Sequence, residues 1–594
     1  MAEVAERSQQ AGPRGPKPRR RRAIPGWLVI VGPAVFAFAF SGFDLGSPSL
    51  WRDEAYTKDA ITRSLGQLFA MLDHQDAVHG AYYVIMHFFS GAFGTSEAAL
   101  RFPALCAMAI ATAFTAAIGR RAARMAGSPW PDATGLIAGM IFATAPYMTY
   151  YAQMARPYAF VTMCATIASY LLMRAVDHEG IKWWVWYAVA VAFTGLFNTF
   201  GLLILPAHAL TVLAIAPGTR TWLRRTALPW LTAGVLAVAV LTPLLLISYR
   251  ERGQIAWLTK PDLATVKTLI SDFAGSRLLV LPMALLALAG VAAGVIDWRA
   301  RRQRPSPPAS ASPLMSGSAS ASASALMSAS ASAPTSAAPA PSSTSAAPIS
   351  AAPASSSTSA APALASAALS PAVLALPWLI LPPVVLLAVS MEKPVYDGRY
   401  VEFCLPALAL LVAAGLVGLV RVAAQTVASE GVGPLRRDAA AWVPSGAVML
   451  VLAILLISPQ HAIRQSSARP DNLRLASQIV AKYEQAGDVV FYMPNDMHVL
   501  GTGYPAPFEK LRDIALAEPP LQSATLTGTE LTSPAELASR FTNVRRVWMV
   551  TGSSNYKFPV PGNPVDREKM ALISGMHILH RWMAGEVMLT LYGY

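Results

Sequence analysis

Long apolar runs recur along most of this chain and alternate with shorter polar segments. A run of about 20 predominantly apolar residues is long enough to cross a bilayer as an α-helix. This criterion predicts about eleven membrane-spanning helices. They lie near 26–43, 102–119, 132–148, 157–174, 183–199, 201–217, 227–248, 277–297, 370–391, 400–421 and 441–458.

Composition agrees with the hydrophobic pattern. Of the 594 residues, 54% are hydrophobic and only 13% are charged, and the mean hydropathy is +0.42. A soluble domain carries about 25% charged residues. The predicted fold class is therefore a mainly α-helical polytopic membrane protein, with membrane lipids as its surroundings.

Basic residues predict the orientation of the helices. Cytoplasmic loops of membrane proteins are enriched in Lys and Arg. Basic clusters lie at the ends that we assign to the cytoplasm: Arg120, Arg121 and Arg124; Arg174 and Lys182; Arg220, Arg224 and Arg225; Arg299, Arg301, Arg302 and Arg304; Arg436 and Arg437. The outside loop 249–276, with four basic residues, is the exception. The net charge of +14 is thus a membrane signature, and no nucleic-acid partner is predicted.

This assignment places the N-terminus in the cytoplasm, with 1–25 as a basic tail. An odd number of spans then places the C-terminal region outside. Between them, 305–369 is rich in Ser, Ala and Pro. Such a segment has too little apolar surface to offset its ordering entropy, so it is predicted to be a disordered cytoplasmic loop. It separates the membrane segments 26–304 and 370–458.

After Pro459 the chain has the pattern of a soluble domain. A helical period runs from Leu473 to Ala486, and short buried strands are predicted at 489–492 and 547–550. Ser533-Pro534-Ala535-Glu536 has the residues of a helix start, with Ser as N-cap and Pro at the first position. Asn563-Pro564 opens another helix, and 577–592 resembles a hairpin. We predict a small extracytoplasmic α/β domain over 459–594.

The segment 44–101 is too long for a turn and is predicted to be a large first outside loop. Apolar residues recur in it at helical spacing, at Ile61, Leu65, Leu68, Phe69 and Leu72. A second stretch, 81–89, is apolar but too short to span a bilayer. Both are predicted to be helices that lie in the membrane interface.

This loop begins with two adjacent carboxylates, in Trp51-Arg52-Asp53-Glu54-Ala55-Tyr56. Ionisable residues at a bilayer edge are costly to desolvate and usually functional. A positioned carboxylate would accept a proton from a nucleophile while the protein holds a lipid-borne substrate. The alternative is that Asp53 and Glu54 only cap a surface helix, because exposed acidic residues are common. Spacing alone leaves both interpretations open.

Several segments of the chain resemble the outside loops of the GT-C glycosyltransferases, and most closely the dolichyl-phosphate-mannose protein mannosyltransferases. The resemblance rests on 51–56, His79-Gly80-Ala81-Tyr82-Tyr83, the segment 93–103, the segment Tyr150 to Tyr158, and Asp397-Gly398-Arg399-Tyr400. These motifs occur in the family's order and on one predicted side of the membrane.

The resemblance implies an inverting hexosyltransferase in the cell membrane. Its donor would be a polyprenyl-phosphate sugar, carrying mannose or a related sugar, and its acceptor a protein, lipid or polysaccharide outside the cytoplasm. Asp53 would be the general base, with Glu54 second. Cations would bind the donor phosphate. The implied substrate-binding residues are Arg52, His74, Asp76, His79, Arg101, Gln153, Arg156, Lys393, Arg399 and Tyr400.

Two departures from the family pattern bear on the site. The family often has His-Pro-Pro where this chain has His79-Gly80-Ala81, and Gln-Glu-Ala-Arg where this chain has Gln153-Met154-Ala155-Arg156. The second departure removes a carboxylate. The resemblance implies no certain cofactor, but a divalent metal stays open, because Asp and His side chains suit several ions. Its candidate ligands are Asp73, His74, Asp76 and His79, which are alternatively predicted to line the acceptor cleft or to cap an interfacial helix.

Two other function classes remain as alternatives. A transporter or flippase of lipid-linked intermediates would place ionisable residues near the bilayer midplane and often shows internal repeats. Here the predicted spans are nearly free of acidic residues. A non-catalytic scaffold that binds cell-envelope glycans through its C-terminal domain is the third class. Donor-dependent turnover separates the enzyme from both.

Overall fold

The structure is a computed structural model that describes residues 25–216, 219–255, 257–302, 369–429, 434–552 and 562–594. The predicted tail 1–25 and loop 305–369 lie almost wholly outside these residues. The described membrane part is built from α-helices. They are α1 Leu28–Gly42, α2 Arg52–Thr62, α3 Leu65–Leu72, α4 Gly80–Phe93, α5 Glu97–Met125, α6 Pro131–Thr144, α7 Pro146–Ala152, α8 Tyr158–Asp177, α9 Ile181–Phe197, α10 Ile204–Ala214, α11 Arg220–Trp222, α12 Leu228–Arg250, α13 Leu263–Ala274, α14 Val280–Arg302, α15 Pro371–Glu392, α16 Leu405–Ser429 and α17 Pro434–Ile463.

Seven helical segments among the described residues are long and apolar enough to cross a membrane: Glu97–Met125, Tyr158–Asp177, Arg220–Ile255, Arg277–Asp297, Pro371–Glu392, Glu402–Ala428 and Trp442–Ile463. Three shorter apolar helices accompany them. Each of the predicted apolar runs overlaps a helix, so the mainly helical multi-pass class is confirmed. The number of crossings and their sidedness stay predictions.

Small residues allow the membrane helices to approach closely. Gly290 on α14 and Gly415 on α16 face each other's backbone: a Cβ on Gly415 would lie 1.9 Å from the Leu286 carbonyl oxygen, and one on Gly290 would lie 2.2 Å from that of Leu411. Helix pairs in membranes favour such contacts, because lipid supplies no hydrophobic force between them. At either position, a residue larger than glycine would clash with the backbone of the other helix.

The first loop is helical. Its first predicted helix is divided in the structure, because the chain is extended at Arg63 and Ser64: Ile61 belongs to α2, and the residues from Leu65 to Leu72 form α3. The second predicted helix is α4. Their location in the membrane interface stays a prediction. Ser64 caps α3: its hydroxyl accepts from the Gln67 amide, and the Gln67 side chain accepts from the Ser64 amide. This reciprocal pair satisfies two amides that a helix start otherwise leaves without partners. The helix that carries Asp53, α2, precedes α3 directly.

The C-terminal region contains a five-stranded sheet and flanking helices. Its strands are β1 Val489–Met493, β2 Arg512–Asp513, β3 Leu516–Glu518, β4 Thr529–Glu530, β5 Arg546–Gly552, β6 His577–Ala584 and β7 Val587–Gly593. The order in the large sheet is β2-β1-β5-β7-β6. Strands β2, β1 and β5 are parallel, whereas β7 and β6 form an antiparallel hairpin next to β5.

The helices of this region are α18 Leu473–Tyr483, α19 Val499–Gly503, α20 Pro534–Arg540 and α21 Pro564–Ile573. The two predicted strands, the two predicted helix starts and the hairpin are confirmed. The Ser533 hydroxyl accepts from the Glu536 amide at 3.4 Å, and the Asn563 side chain caps α21. The predicted helix after Leu473 ends at Tyr483, slightly before Ala486.

The C-terminal sheet region packs directly on α2. Ala55, fully buried, belongs to the same apolar cluster as Val490, Tyr492 and Trp548 of the sheet. Gly503 of α19 lies against the Ala55 side chain, within van der Waals distance of its Cβ. The helix that presents Asp53 is therefore held between the membrane helices and the sheet.

Candidate active site

Asp53 meets an arginine that lies 346 residues later in the chain. Its Oδ2 accepts a hydrogen bond from Nη1 of Arg399 at 2.5 Å. Both side chains keep some exposure, 18% and 15%. Asp53 is in the first turn of α2, where the helix dipole favours a carboxylate. The partly exposed Asp53 carboxylate therefore lies in direct contact with the partly exposed Arg399 guanidinium.

Local structure fixes the backbone of Arg399. It lies in the one-turn 3-10 helix Gly398–Tyr400, whose cap is Asp397. One oxygen of Asp397 accepts from the Arg399 amide at 3.1 Å, and the other accepts from Nη2 at 2.9 Å. The guanidinium also lies within 6 Å of the Trp51, Trp257 and Tyr400 rings. Such rings attract a cation through their faces.

A second arginine approaches Asp53 from the other loop. Arg156 is nearly buried, and its Nη1 donates to the Tyr83 hydroxyl at 3.1 Å and to the Asp53 carbonyl oxygen at 3.3 Å. Its Nη2 lies 3.0 Å from Nε2 of His79. Since guanidinium only donates, Nε2 accepts, and His79 is the neutral tautomer with its proton on Nδ1. That proton is donated to Asp76 at 2.6 Å.

The pKa values of this network follow from its contacts. Burial, and then the charge of Arg156, lowers the pKa of His79, although Asp76 opposes the change. Burial alone would raise the pKa of Asp76. Contacts with His79, the charge of Arg156 and the Tyr83 hydroxyl outweigh it and hold that pKa well below its usual range. At neutral pH, the network is an anionic Asp76, a neutral His79 and a cationic Arg156.

Glu54 has quite different surroundings from Asp53. It is fully buried, and Arg101, also fully buried, donates to both of its oxygens at 2.8 and 2.7 Å. The Ala155 amide donates to Oε1 at 2.8 Å. Arg101 further donates to three carbonyl oxygens of the segment 45–49. The Glu54 and Arg101 side chains thus use their polar atoms to hold the loops together. We therefore interpret both as positioning residues.

The other residues predicted for substrate binding differ in their surroundings. Gln153 is buried and donates to the Ser41 and Phe43 carbonyl oxygens. Arg52 pairs with Asp471 of the C-terminal region at 3.4 Å. Tyr400 lies beside Arg399 and against the Phe200 ring. The structure thus brings Asp53, Arg156, Arg399, Tyr400, His79 and Asp76 together.

His74 and Lys393 are exposed. Nδ1 of His74 is 2.8 Å from the carbonyl oxygen of Ala70 in α3, the helix that ends just before it. Across the part of the chain that the structure describes, no three His, Cys, Asp or Glu side chains come together as a metal site. The four candidate ligands Asp73, His74, Asp76 and His79 therefore do not assemble one in this arrangement.

Three residues that contact the predicted site residues were not themselves predicted from sequence. Tyr83 lies four residues after His79, a spacing that brings side chains together on a helix. Asp397 lies two residues before Arg399, and an Asp side chain commonly bonds the backbone amide two residues on. Local spacing therefore contained a signal for both. Asp471 carries no such signal, because it is 419 residues from Arg52.

A cavity of about 890 Å³ opens beside Arg399. Its wall includes Asp397, Gly398 and Trp257, all next to that arginine, and continues over α7 and α13. Pro146 starts α7 after the extended Ala145, as expected for a residue that precedes proline. This break separates α7 from α6 and places Tyr147 and Tyr151 in the cavity wall.

Comparison with known proteins agrees with the motif analysis. Residues 80–247 match the family described as dolichyl-phosphate-mannose-protein mannosyltransferase. The chain is similar to the GT-C membrane glycosyltransferases. The match covers His79's neighbours on α4, the Arg156 turn and the helices through α12, and it supports lipid-linked sugar transfer in general.

Several solved structures also align with the chain. ArnT from Cupriavidus metallidurans, bound to undecaprenyl phosphate, aligns with 14% identity and a TM-score of 0.47, over 95% of this chain and 98% of that one. The archaeal oligosaccharyltransferase AglB from Archaeoglobus fulgidus, in complex with an inhibitory peptide and a dolichol-phosphate, aligns with 11% identity and a TM-score of 0.43, over 88% of this chain and 69% of that one. No curated protein matches the sequence.

Proposed function

We propose that this protein transfers a sugar, mannose or a related one, from a polyprenyl-phosphate donor to an acceptor on the extracytoplasmic side of the cell membrane. Asp53 is the general base of the proposed reaction, and Arg399 and Arg156 are the cations for the donor phosphate. The observation that carries the proposal is the contact between Asp53 and Arg399 at 2.5 Å, with Arg156 bonded to the backbone of the same aspartate.

The proposed chemistry is a single displacement. An acceptor hydroxyl attacks the anomeric carbon, its proton passes to a carboxylate oxygen of Asp53, and the bond from that carbon to the phosphate oxygen breaks. The phosphodiester becomes a polyprenyl phosphate monoester and gains one negative charge. Cations placed at developing charge stabilise the transition state more than the ground state. Arg399 and Arg156 have this role.

Arg399 also controls when Asp53 is available. Its guanidinium is shared between Asp53 and Asp397. A donor phosphate competes for the same donor groups, because phosphate oxygens bind guanidinium bidentately. Binding of the donor thus draws Arg399 away from Asp53 and leaves the carboxylate able to accept a proton. Asp53 is therefore able to accept a proton only when the donor is bound.

Transfer from a radiolabelled polyprenyl-phosphate sugar by purified protein tests the proposal. Asp53→Asn keeps the shape of the side chain but accepts a proton poorly, so we expect transfer to fall about 100-fold or more. Asp59→Asn is the matched control, because Asp59 is on the same helix and pairs with Arg63. Near-normal transfer by correctly folded Asp53→Asn protein would remove the general-base role.

A further inference from the structure

The cavity beside Arg399 has a wall of unusual chemistry for a protein that handles phosphate. None of the described residues that line it is a lysine, an arginine or a histidine. Many of the lining residues are aromatic side chains that also carry a polar atom: Tyr147, Tyr151, Trp257 and Tyr396 are examples. Asp262, Asp272 and Asp397 add carboxylates. The volume of about 890 Å³ is in the range of small-molecule sites, roughly 300–1,000 Å³.

We propose that this cavity is a subsite for an uncharged carbohydrate, bound by aromatic faces and by hydrogen bonds to tyrosine hydroxyls and carboxylates. The inference rests on the proposed function and names the substrate class of the same site. The source of the carbohydrate is either the sugar of the donor or the acceptor glycan, since both present the same ring and hydroxyl groups.

The polar atoms of the wall suit hydroxyl groups. A carboxylate accepts through two oxygens, and a tyrosine hydroxyl both donates and accepts. The Tyr151 hydroxyl donates to that of Tyr147 at 3.2 Å. A Cβ on Gly398 would lie 2.9 Å from the Tyr147 hydroxyl, so the glycine leaves room for this group between the cavity and Arg399. The aromatic rings supply broad apolar faces for the C–H side of a sugar ring.

Other ligands fit this wall less well. A phosphate or a uronic acid would lie beside carboxylates with no cation in the described wall, and like charges repel. A prenyl tail would cover Asp272 without offering it a hydrogen bond, which is costly for a polar group. Burial already raises the pKa of Asp272 to about 6. The anionic part of a substrate therefore belongs at Arg399, and the uncharged part in the cavity.

Binding of free sugars to the full-length protein in detergent tests the proposal without turnover. The two probes are neutral mannotriose and the trianionic trigalacturonate, measured by calorimetric titration. We expect saturable binding of mannotriose and at least tenfold weaker binding of trigalacturonate. Trp257→Ala should weaken mannotriose binding about tenfold. Trp186→Ala is its control, because Trp186 is similarly exposed, 59% against 61%, but is on α9.

Transfer kinetics identify the source. If Asp272→Asn and Trp257→Ala raise the acceptor KM alone, the cavity binds the acceptor glycan; if they raise the donor KM alone, it binds the donor sugar. Absence of saturable mannotriose binding, or equally tight binding of trigalacturonate, would overturn the proposal. Absence of transfer from any polyprenyl-phosphate sugar by the unaltered protein would instead overturn the proposed function, because the binding measurement requires no reaction.

Discussion

Asp53 and Glu54 are neighbours in sequence but have opposite roles in the structure. Successive residues of an α-helix point about 100° apart, so the two carboxylates leave α2 in different directions. Glu54 turns into the protein and is fully buried against Arg101. Asp53 turns toward Arg399 and remains partly exposed. At the scale of the residue, direction separates a proposed base from a positioning residue.

Arg399 is predicted to bind the donor phosphate through both of its terminal nitrogens. Arg399→Lys should raise the donor KM, and Arg399→Ala should raise it further, because lysine offers a point charge without the planar pair of donors. Initial rates at saturating acceptor and varied donor concentration measure the donor KM. Arg421→Lys is the matched control, since Arg421 pairs with Asp297 at 2.9 Å but lies outside the cluster. An unchanged donor KM in both Arg399 variants would exclude the residue from the donor site.

His79 predicts a pH dependence of stability. Because the folded protein has a lowered His79 pKa, its contribution is full above the unfolded value of about 6.5 and is lost as pH falls through the folded value. Protonation would remove the acceptor for Arg156 and place two cations 3.0 Å apart. We therefore expect the thermal midpoint to fall as the pH drops below about 6.5.

His79→Gln should flatten this profile, because glutamine can still accept from Arg156 but does not titrate. The difference between the two profiles isolates His79 from other histidines, such as His498, whose pKa burial lowers to about 4. Asp76 does not affect this window, because its pKa is also lowered: its stabilising contribution is full above about pH 3.9 and is lost only below it. Parallel profiles for the two proteins would contradict the assignment.

Among the elements, α2 depends on contacts from several sides. The Glu54–Arg101 pair joins it to α5, and the Ala155 amide joins it to the turn after α7. Ala55 packs into the C-terminal apolar cluster, and Lys58 donates to the Gly503 carbonyl oxygen at 2.8 Å. The position of Asp53 is therefore decided by elements that are far apart in the chain.

Breaking the buried pair should destabilise the protein rather than affect chemistry alone. Glu54→Gln leaves the Arg101 charge buried with a weaker partner, and removing one member of a buried pair costs about 3–5 kcal/mol. We expect a marked drop in the thermal midpoint. Glu97→Gln breaks the partly exposed Glu97–Arg474 pair and should cost only about 0–1 kcal/mol. Equal midpoints for the two variants would show that Glu54 has no such structural role.

Across the whole molecule, polar contacts as well as packing join the C-terminal region to the first loop and to the segment around α7. Arg469, nearly buried, donates to the Gln153 and Tyr150 carbonyl oxygens. Arg474 donates to the Gly46 and Ser47 carbonyl oxygens and pairs with Glu97. These contacts support the proposed site from the side opposite the membrane helices.

Deletion of 308–366 is predicted to preserve transfer. The helix ends nearest to this segment are Arg302 at the end of α14 and Pro371 at the start of α15. Helix α15 has 22 residues and leads from there to the Arg399 turn, so about 33 Å of helix separates the deletion from the cluster. Specific activity of correctly inserted protein measures this. A large loss would show that the segment contributes to the reaction.

The sequence by itself determined the elements. Apolar runs of membrane length became helices, Ser533 and Asn563 became caps, and the pattern at 577–592 became a hairpin. These features depend on neighbours within a few residues, so periodicity and composition contain them. The motif at 397–400 and the pair at 53–54 were also visible as candidates, because their residue types suit proton transfer and phosphate binding.

Only the tertiary structure decided what those candidates contact. Nothing local distinguishes Glu54 from Asp53, or Arg101 and Gln153 from Arg156 and Arg399. Their surroundings come from chain segments tens to hundreds of residues away, as in the Asp53–Arg399 and Arg52–Asp471 pairs. A charged side chain that is buried must pair with backbone groups or with an opposite charge, and it is then no longer available to bind substrate. The cavity likewise has walls from α7, α13 and the turn before Arg399, and no one of these segments contains it alone.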